Sequence, residues 1–371
     1  MNIGIDARVL EKKMTGIGRY LSDILNAFQN HEENNYYLFS SKQINYSSDS
    51  FIKIKTGNVK YLNKLFSPLW LNFVLPSLVD KHNIDIFFSP NHLLPVKKLK
   101  CKSIVVIHDL HHLINKKNHS FFYRTYLNFQ LPFSIKNSDV IITISEGTKE
   151  DLINYYNVDA GKITVIYRAA EKKFNPQADS HLELNILKEK LQLPEKFILY
   201  VGMIENRKNI LGILKTSDIL ISKNIDIKFV LVGKPGFGFK SIEKEITKRK
   251  NVLYLNYVEE DDIVSIYNLA FIFFFPSFYE GFGLPPLEAM QCGVPVLCSN
   301  ITALKEVVGN NGFLRDPEDY NGFAEDIIKL LKDPDIYSEM KVRSINQSKK
   351  FSIDEATDKL FQIIDELKKN N

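Results

Sequence analysis

The sequence predicts an α/β protein built of two doubly wound, parallel-sheet domains. Three observations predict it. Short, β-rich apolar runs alternate with helix-length segments along all 371 residues, the pattern of sheets covered by helices. Several runs are continuously apolar rather than alternating, as in strands buried on both faces. A polar, charged stretch near 169–195, containing Pro176, separates two halves, each long enough for one domain.

The strand candidates of the first half are "NIGID" (2–6), "YYLFS" (36–40), "IDIFFS" (84–89), "SIVVIHD" (103–109), "DVIITIS" (139–145) and "ITVIY" (163–167). Those of the second are "FILYVG" (197–202), "KFVLVG" (228–233), "VLYL" (252–255), "FIFFFPS" (271–277) and "VPVLCS" (294–299). The last segment, 351–371, reads as a helix. Ser352 and Glu355 form a capping box. Ile353, Ala356, Leu360, Ile363, Ile364 and Leu367 make one apolar stripe that must pack on something.

Composition narrows the class. The hydrophobic fraction is 44%, ordinary for a chain with a real core. Net charge is +4, unevenly placed. Residues 1–170 carry 21 Lys and Arg against 14 Asp and Glu, a net +7; the rest carry 27 against 30, a net −3. A basic first half suits anionic lipid head groups or a phosphorylated substrate; a solvated lysine-rich surface is the simpler reading. The three cysteines, Cys101, Cys292 and Cys298, show neither a disulfide framework nor a zinc pattern, which fits a reducing cytosol. The first residues, "MNIGIDARVL", have no signal-peptide pattern. No apolar run is long enough to span a bilayer. The nearest, Leu65–Val79, reads as buried or interfacial because of its prolines and length.

The stretch "PSFYEGFGLPPLE" (276–288) carries the most chemistry. It follows a buried strand. Pro285 and Pro286 suit the first turn of a helix, and Gly293 and Pro295 suit its end. The loop therefore lies beyond the carboxyl end of a parallel strand, where open α/β sheets bind ligands. Gly281 and Gly283 let the backbone approach a ligand. The helix N-terminus offers N–H groups to a phosphate. Glu280 and Glu288 bracket the loop, and carboxylates accept paired bonds from vicinal hydroxyls. Either glutamate alone reads as a surface or helix-dipole residue. Together with a phosphate site they fit two polyols joined through phosphate, as in a sugar nucleotide. Arg207 and Lys208 in "LYVGMIENRKNI" (199–210) can neutralise a diphosphate just past another strand. Lys234, after "VLVG", stands near the same position.

In the first half, Gly16 and Gly18 lie in a strand–loop–helix unit that lacks the third glycine of a dinucleotide fingerprint and the lysine of a P-loop. A dinucleotide-binding dehydrogenase is thereby disfavoured. Arg19 stands beside them. "SIVVIHDLHHL" (103–113) ends a strand with His108 and Asp109, followed by His111 and His112. These raise the question of a metal, but their spacing matches no structural zinc pattern. Ser145 reads as the cap of a helix holding Thr148 and Lys149.

The segment from Phe275 to Asn300 resembles the Glu-x7-Glu signature of retaining glycosyltransferases of family 4 along its whole length, with "GFGLPPL" between Glu280 and Glu288. "ENRKN" resembles that family's diphosphate segment, and the likeness extends over nearly the whole chain. It implies the GT-B architecture: two Rossmann-like domains facing a central cleft, here residues 1–170 on the acceptor side and 196–350 on the donor side. A linker at 171–195 joins them, and the helix at 351–371 returns toward the first domain.

The resemblance implies roles. Glu280 holds donor-sugar hydroxyls, and the backbone of Gly281, Phe282, Gly283 and Leu284 approaches sugar and phosphates. Glu288 holds the ribose diol. Val258, with Tyr257, reads the base through its backbone. Gly16 and Gly18 face the diphosphate, and His108 sits at the donor sugar. His108, Arg207, Lys208 and Glu280 are the catalytic candidates, with no metal and no cofactor expected. The implied function is transfer of a hexose, mannose or similar, with retained configuration. The donor is a nucleotide diphosphate sugar and the acceptor a glycan or polyprenyl-linked glycan, in surface polysaccharide synthesis. The expected location is the cytoplasm, with no nucleic acid; the net +7 of the first half and the Leu65–Val79 stretch add peripheral contact at the inner membrane face. A sugar-nucleotide epimerase or phosphorylase of similar architecture and a silent sugar-nucleotide-binding module are the rival readings. One departure stands out: Tyr167-Arg168-Ala169-Ala170 occupies a position where the family carries an Asn-Gly pair.

Overall fold

The computed structural model describes residues 1–11, 15–31, 33–56, 66–114, 121–176 and 181–369. These form two compact units. Residues 1–114, 121–168 and 353–369 make the first; residues 169–176 and 181–352 make the second. Leu65, residues 12–14 of the glycine-bearing segment and residues 177–180 of the junction lie outside the described residues.

The first unit holds a seven-stranded sheet. Its strands are β1 (Asn2–Asp6), β2 (Asn35–Ser40), β3 (Phe51–Lys55), β4 (Ile86–Ser89), β5 (Lys102–Ile107), β6 (Val140–Thr143) and β7 (Ile163–Val165). They run in the order β3-β2-β1-β4-β5-β6-β7, and every pairing is parallel. The second unit holds six: β8 (Phe197–Val201), β9 (Lys228–Val232), β10 (Val252–Leu255), β11 (Ile272–Phe275), β12 (Val296–Ser299) and β13 (Phe313–Arg315). Their order is β10-β9-β8-β11-β12-β13, again all parallel. Each sheet reverses its winding once, between β1 and β4 in the first and between β8 and β11 in the second. Loops diverge at such a point and leave a crevice at the strands' carboxyl ends.

The continuous apolar runs are the doubly covered strands: β4, β11 and β12 are buried at every residue. Two strands were not legible in advance. β3, "FIKIK", is an edge strand whose charged residues face solvent. β13, an edge strand of the second sheet, has three half-buried residues, too few to show a period. Strand β5 stops at Ile107, so His108 and Asp109 belong to the loop beyond its carboxyl end.

Within the junction, the helix His181–Lys190 buries Leu187, and Lys190 pairs with Asp262 at 2.8 Å. The last helix, Ile353–Lys369, buries Leu360, Ile363, Ile364 and Leu367 in the first unit. Its Phe361 stacks on His31, with ring centroids 3.5 Å apart, and packs at a tilt against Phe28 at 5.1 Å. The last helix thus packs on the helix Gly16–Phe28. Trp70, Leu71, Leu75 and Val79 of the 66–81 segment are buried in the first unit's core, whereas Phe73 on the same segment is 70% exposed. A π-helical turn, Trp70–Val74, interrupts that segment.

Candidate functional site

The reversal point of the second sheet gathers charge. Arg207 and Lys208 sit on the turn Asn206–Lys208, just past β8. Glu280 lies in the loop past the adjacent β11. Lys208 Nζ meets Glu280 Oε1 at 2.5 Å, and Arg207 Nη1 meets Glu280 Oε2 at 3.2 Å. Arg207 also donates through Nη2 to Glu205 Oε1 at 2.8 Å and through Nη1 to the carbonyl of Tyr279 at 2.9 Å. Phe278 N–H returns a bond to the Arg207 carbonyl. The two loops are stitched together through one guanidinium. The sheet order, not sequence proximity, brings residues 207 and 280 together.

These four charges are largely buried; Lys208 is 7% exposed. Burial lowers the Lys208 pKa, and the attraction of Glu280 only partly restores it. Burial pushes the Glu280 carboxyl up, but Lys208 and Arg207 outweigh that and hold it below its ordinary value. Lys208 also lies 4.7 Å from the centroid of the Phe275 ring. The result is a fixed, water-poor ionic cluster, where charge interactions are stronger than in water.

The loop then enters the helix Leu284–Gln291, with Pro285 and Pro286 in its first turn. Gly283 has φ 126°, and a Cβ there would lie 2.6 Å from Leu304 Cδ2, so only glycine fits. One expectation needs correction. A helix start normally offers four unbonded amide positions. Here two of the four are prolines, so only Gly283 and Leu284 carry N–H groups. Main-chain help to a phosphate is narrower than a helix N-terminus suggests. Phe282 turns its ring inward against Phe351, centroids 5.7 Å apart, leaving its backbone on the loop.

Glu288 is 7% exposed, and its Oε2 accepts a 2.8 Å bond from the hydroxyl of Tyr267. Lys234 follows β9 and Val258 follows β10. Lys234 Nζ stands 4.4 Å from the Tyr257 ring, so these two loops meet as well. Along the sheet the sequence-predicted groups therefore run from Val258 and Lys234, through Arg207 and Lys208, to Glu280.

In the first unit, Gly16 and Gly18 occupy the first turn of the helix Gly16–Phe28 rather than a loop. Thr15 caps it, its Oγ1 accepting from Gly18 N–H at 3.1 Å. Arg168 donates to the Gly16 carbonyl at 2.9 Å and lies 5.6 Å from the centroid of the Tyr20 ring. The residue that departs from the family pattern thus braces the glycine segment.

His108 is 5% exposed. Its Nε2 lies 2.7 Å from the Pro90 carbonyl, which can only accept, so Nε2 carries the hydrogen and Nδ1 is the acceptor. Nδ1 is buried with no partner among the described residues. Burial, with help from His92 and Arg168, pushes the pKa down to about 3, so the ring is neutral. A neutral acceptor nitrogen suits a hydroxyl donor. Asp109 Oδ1 accepts from His111 N–H at 3.0 Å, and Ser145 caps its helix through Thr148 N–H at 3.0 Å, as expected. Among the described residues no three His, Cys, Asp or Glu side chains cluster as metal ligands would.

Sequence reading missed Glu205 and Tyr267. Glu205 stands two residues before Arg207, but an acid in a turn gives no sign of its partner until the structure shows the pair. Tyr267 sits on a helix, where an inward tyrosine looks like core.

Two family descriptions match: "Glycosyltransferase Family 4" over residues 14–172 and "Glycosyl transferases group 1" over residues 184–351. An O-antigen chain mannosyltransferase B of Escherichia coli is 33% identical over 278 residues, 73% of this chain and 72% of that protein. An O-antigen chain mannosyltransferase of Salmonella typhimurium is 26% identical over 286 residues, 76% and 75% of the two chains. An Anabaena protein, HepE, solved with UDP-glucose, superposes with TM-score 0.74 at 17% identity, covering 99% of this chain and 100% of that one. With two parallel-sheet α/β domains and an ionic cluster at the second sheet's reversal point, the chain belongs to glycosyltransferase family 4 and has the GT-B fold.

Proposed function

We propose that the chain is a retaining hexosyltransferase that moves mannose or a similar hexose from a nucleotide diphosphate sugar to a glycan or lipid-linked glycan in surface polysaccharide synthesis. The observation that carries this is the cluster of Arg207, Lys208 and Glu280 at the carboxyl ends of β8 and β11. The four charges of that cluster, Glu205 included, cancel. A diphosphate adds negative charge, so Arg207 and Lys208 are shared between it and the carboxylates. Their pull strengthens as the nucleoside diphosphate leaves, which is stabilisation where charge develops. The displaced share of Glu280 is taken up by donor-sugar hydroxyls, and Glu288, oriented by Tyr267, accepts from the ribose diol.

His108 Nδ1 accepts a sugar hydroxyl. The leaving phosphate oxygen takes the acceptor's proton on the same face, so no protein nucleophile is required and configuration is retained. The cations supply the charge that a metal supplies elsewhere, so we propose metal-independent transfer. The relatives act, by name, as O-antigen mannosyltransferases, which supports mannose and a polysaccharide acceptor.

Calorimetry with GDP-, UDP- and dTDP-sugars, together with slow donor hydrolysis, tests the reading. Absence of any binding at millimolar concentration ends it. An inverted anomeric centre in the product, read by NMR, removes retention. Activity lost with EDTA and restored by a divalent ion removes metal independence.

The proposal includes contact with an anionic membrane surface. No described helix is long and apolar enough to cross a membrane. Phe73 and Phe129, 70% and 59% exposed, flank the mutually bonded pair Asn72 and Gln130 on adjoining helices. They lie in the half of the chain with net charge +7. Exposed aromatics in a half of net positive charge suit an anionic membrane interface. Failure to sediment with phosphatidylglycerol vesicles at low salt counts against it.

A further inference from the structure

Residues 169–176 follow directly on the first unit but belong to the second. They hold a tight turn, in which the Phe174 N–H donates to the Glu171 carbonyl at 3.1 Å. Glu171 and Lys173 pair at 3.0 Å and Lys172 is exposed, whereas Phe174 is 4% exposed. The turn sorts its side chains, charge outward and one ring inward. That ring meets Tyr267: the centroids stand 5.7 Å apart at 81°, an edge-to-face pair. Tyr267 is fully buried, and Phe273 of β11 walls it at 5.6 Å. A tyrosine ring held by two neighbours keeps its hydroxyl in one place. Here that hydroxyl donates to Glu288 Oε2 at 2.8 Å.

The next two residues continue the contact. Asn268 Nδ2 donates to the Asn175 carbonyl at 3.1 Å and to the Val264 carbonyl of its own helix, also at 3.1 Å. The backbone of Asn175 is hydrogen-bonded to the Cys292 thiol as well. Pro176 packs over Gly293, where an added Cβ would lie 3.9 Å from Pro176 Cγ. Tyr267 and Asn268 belong to the helix Glu260–Leu269; Cys292 and Gly293 close the helix Leu284–Gln291, which carries Glu288. Three consecutive residues of the junction therefore touch both helices whose side chains meet in the Tyr267–Glu288 bond. A carboxyl group that binds a ligand must be held within about 0.5 Å of its productive place, and the groups behind it do the holding.

We propose that Phe174, Asn175 and Pro176 are positioning residues for Glu288, a clamp that fixes the two helices and so sets the affinity for the ribose diol of the donor. The proposal rests on the reading of Glu288 as the ribose group and adds to it a segment that touches no substrate. Phe174 acts through the Tyr267 hydroxyl; Asn175 and Pro176 act through the ends of the two helices.

The test is calorimetry on the full chain with GDP, UDP and their 2′,3′-dideoxy counterparts, which keep base and diphosphate but lack the ribose diol. The parent should bind at least one ribonucleotide about tenfold more tightly than its dideoxy form, the scale of a hydrogen bond to a charged group. Phe174→Leu keeps an apolar side chain but removes the ring edge. It should weaken that ribonucleotide about fivefold, the scale of one aromatic pair, and leave the dideoxy form within about twofold. Adding Phe174→Leu to Tyr267→Phe should cost no more than about a further twofold, because both changes act at one hydroxyl. Equal losses for the ribo and dideoxy forms, no loss, or losses that multiply in the double variant overturn the proposal. If Phe174→Leu fails to fold, Asn268→Ala decides, since that side chain is only partly buried. A selective loss of about threefold for the ribonucleotide supports the clamp, and an unchanged preference overturns it. A parent that binds ribo and dideoxy forms alike removes Glu288 from the ribose and the clamp's role with it. A parent that binds neither GDP nor UDP ends the donor reading itself.

Discussion

The two sheets reverse their winding in the same way but place opposite chemistry at the reversal. Between β8 and β11, two cations and two carboxylates are joined by three largely buried ion pairs of 2.5 to 3.2 Å. Between β1 and β4, the Asp6–Arg8 pair closes on itself, and the cleft there is lined by Tyr123 and Tyr126 as well. Topology sets where a ligand goes; the side chains at the strand ends set which ligand.

The sharpest way to break the comparison is at Lys208. Lys208→Ala removes half the positive charge at the second sheet's reversal point, and turnover should fall about 10²–10³-fold, as when one preorganised charge partner is lost. Arg207→Ala should weaken nucleoside diphosphate binding at least tenfold by calorimetry. Turnover and affinity within twofold of the parent would mean that the cluster is structural.

Next in size is Tyr267→Phe, which leaves Glu288 without its 2.8 Å hydroxyl donor. A hydrogen bond to a charged group contributes roughly 1.5–3 kcal/mol. UDP or GDP should therefore bind about tenfold more weakly, while inorganic diphosphate, which lacks a ribose, binds as before. Equal losses for both ligands would show that Tyr267 supports the loop and not the ribose carboxylate.

The first unit answers to acid. His108 is held near pKa 3 when folded against 6.5 ordinarily, and His92 is lowered too. Between those values the unfolded chain binds more protons, so stability rises with pH and is lost as pH falls below 6.5. Glu280, held below 4.5, adds its own loss only further down. The melting temperature should thus drop between pH 6.5 and 4.5, and His108→Gln should flatten that slope. A slope unchanged in the variant assigns the effect elsewhere. The smallest effect is Thr15→Ala, which removes the cap of the helix Gly16–Phe28 and should cost about 1 kcal/mol in urea unfolding. A loss below a few tenths would show that Phe28 and Phe361, not the cap, hold that helix.

Much of the second site was legible because its residues lie in two short segments with distinctive spacing. Glu280, Glu288, Arg207 and Lys208 could be named, and parallel strands with loops at one end told where they point. The narrower amide supply was also in the letters, since Pro285 and Pro286 have no N–H, yet it became clear only when the helix began at Leu284. Glu205 and Tyr267 escaped because an acid in a turn and a tyrosine in a helix are ordinary until their partners are known.

The sequence by itself determined the α/β class, the central buried strands and the residue types of the ionic cluster. Unbroken apolar runs and Gly-Pro punctuation are local signals, and local signals survive in one dimension. Only tertiary structure decided that Arg207 spans from β8 to the loop after β11, that Tyr267 serves Glu288, and that Arg168 braces Gly16. It alone set the locally paired Arg8 over the ring of Trp70. The Arg207 and Arg168 pairings depend on strand order, which joins residues 72 or 152 positions apart, and no spacing rule within a segment encodes which strand lies beside which.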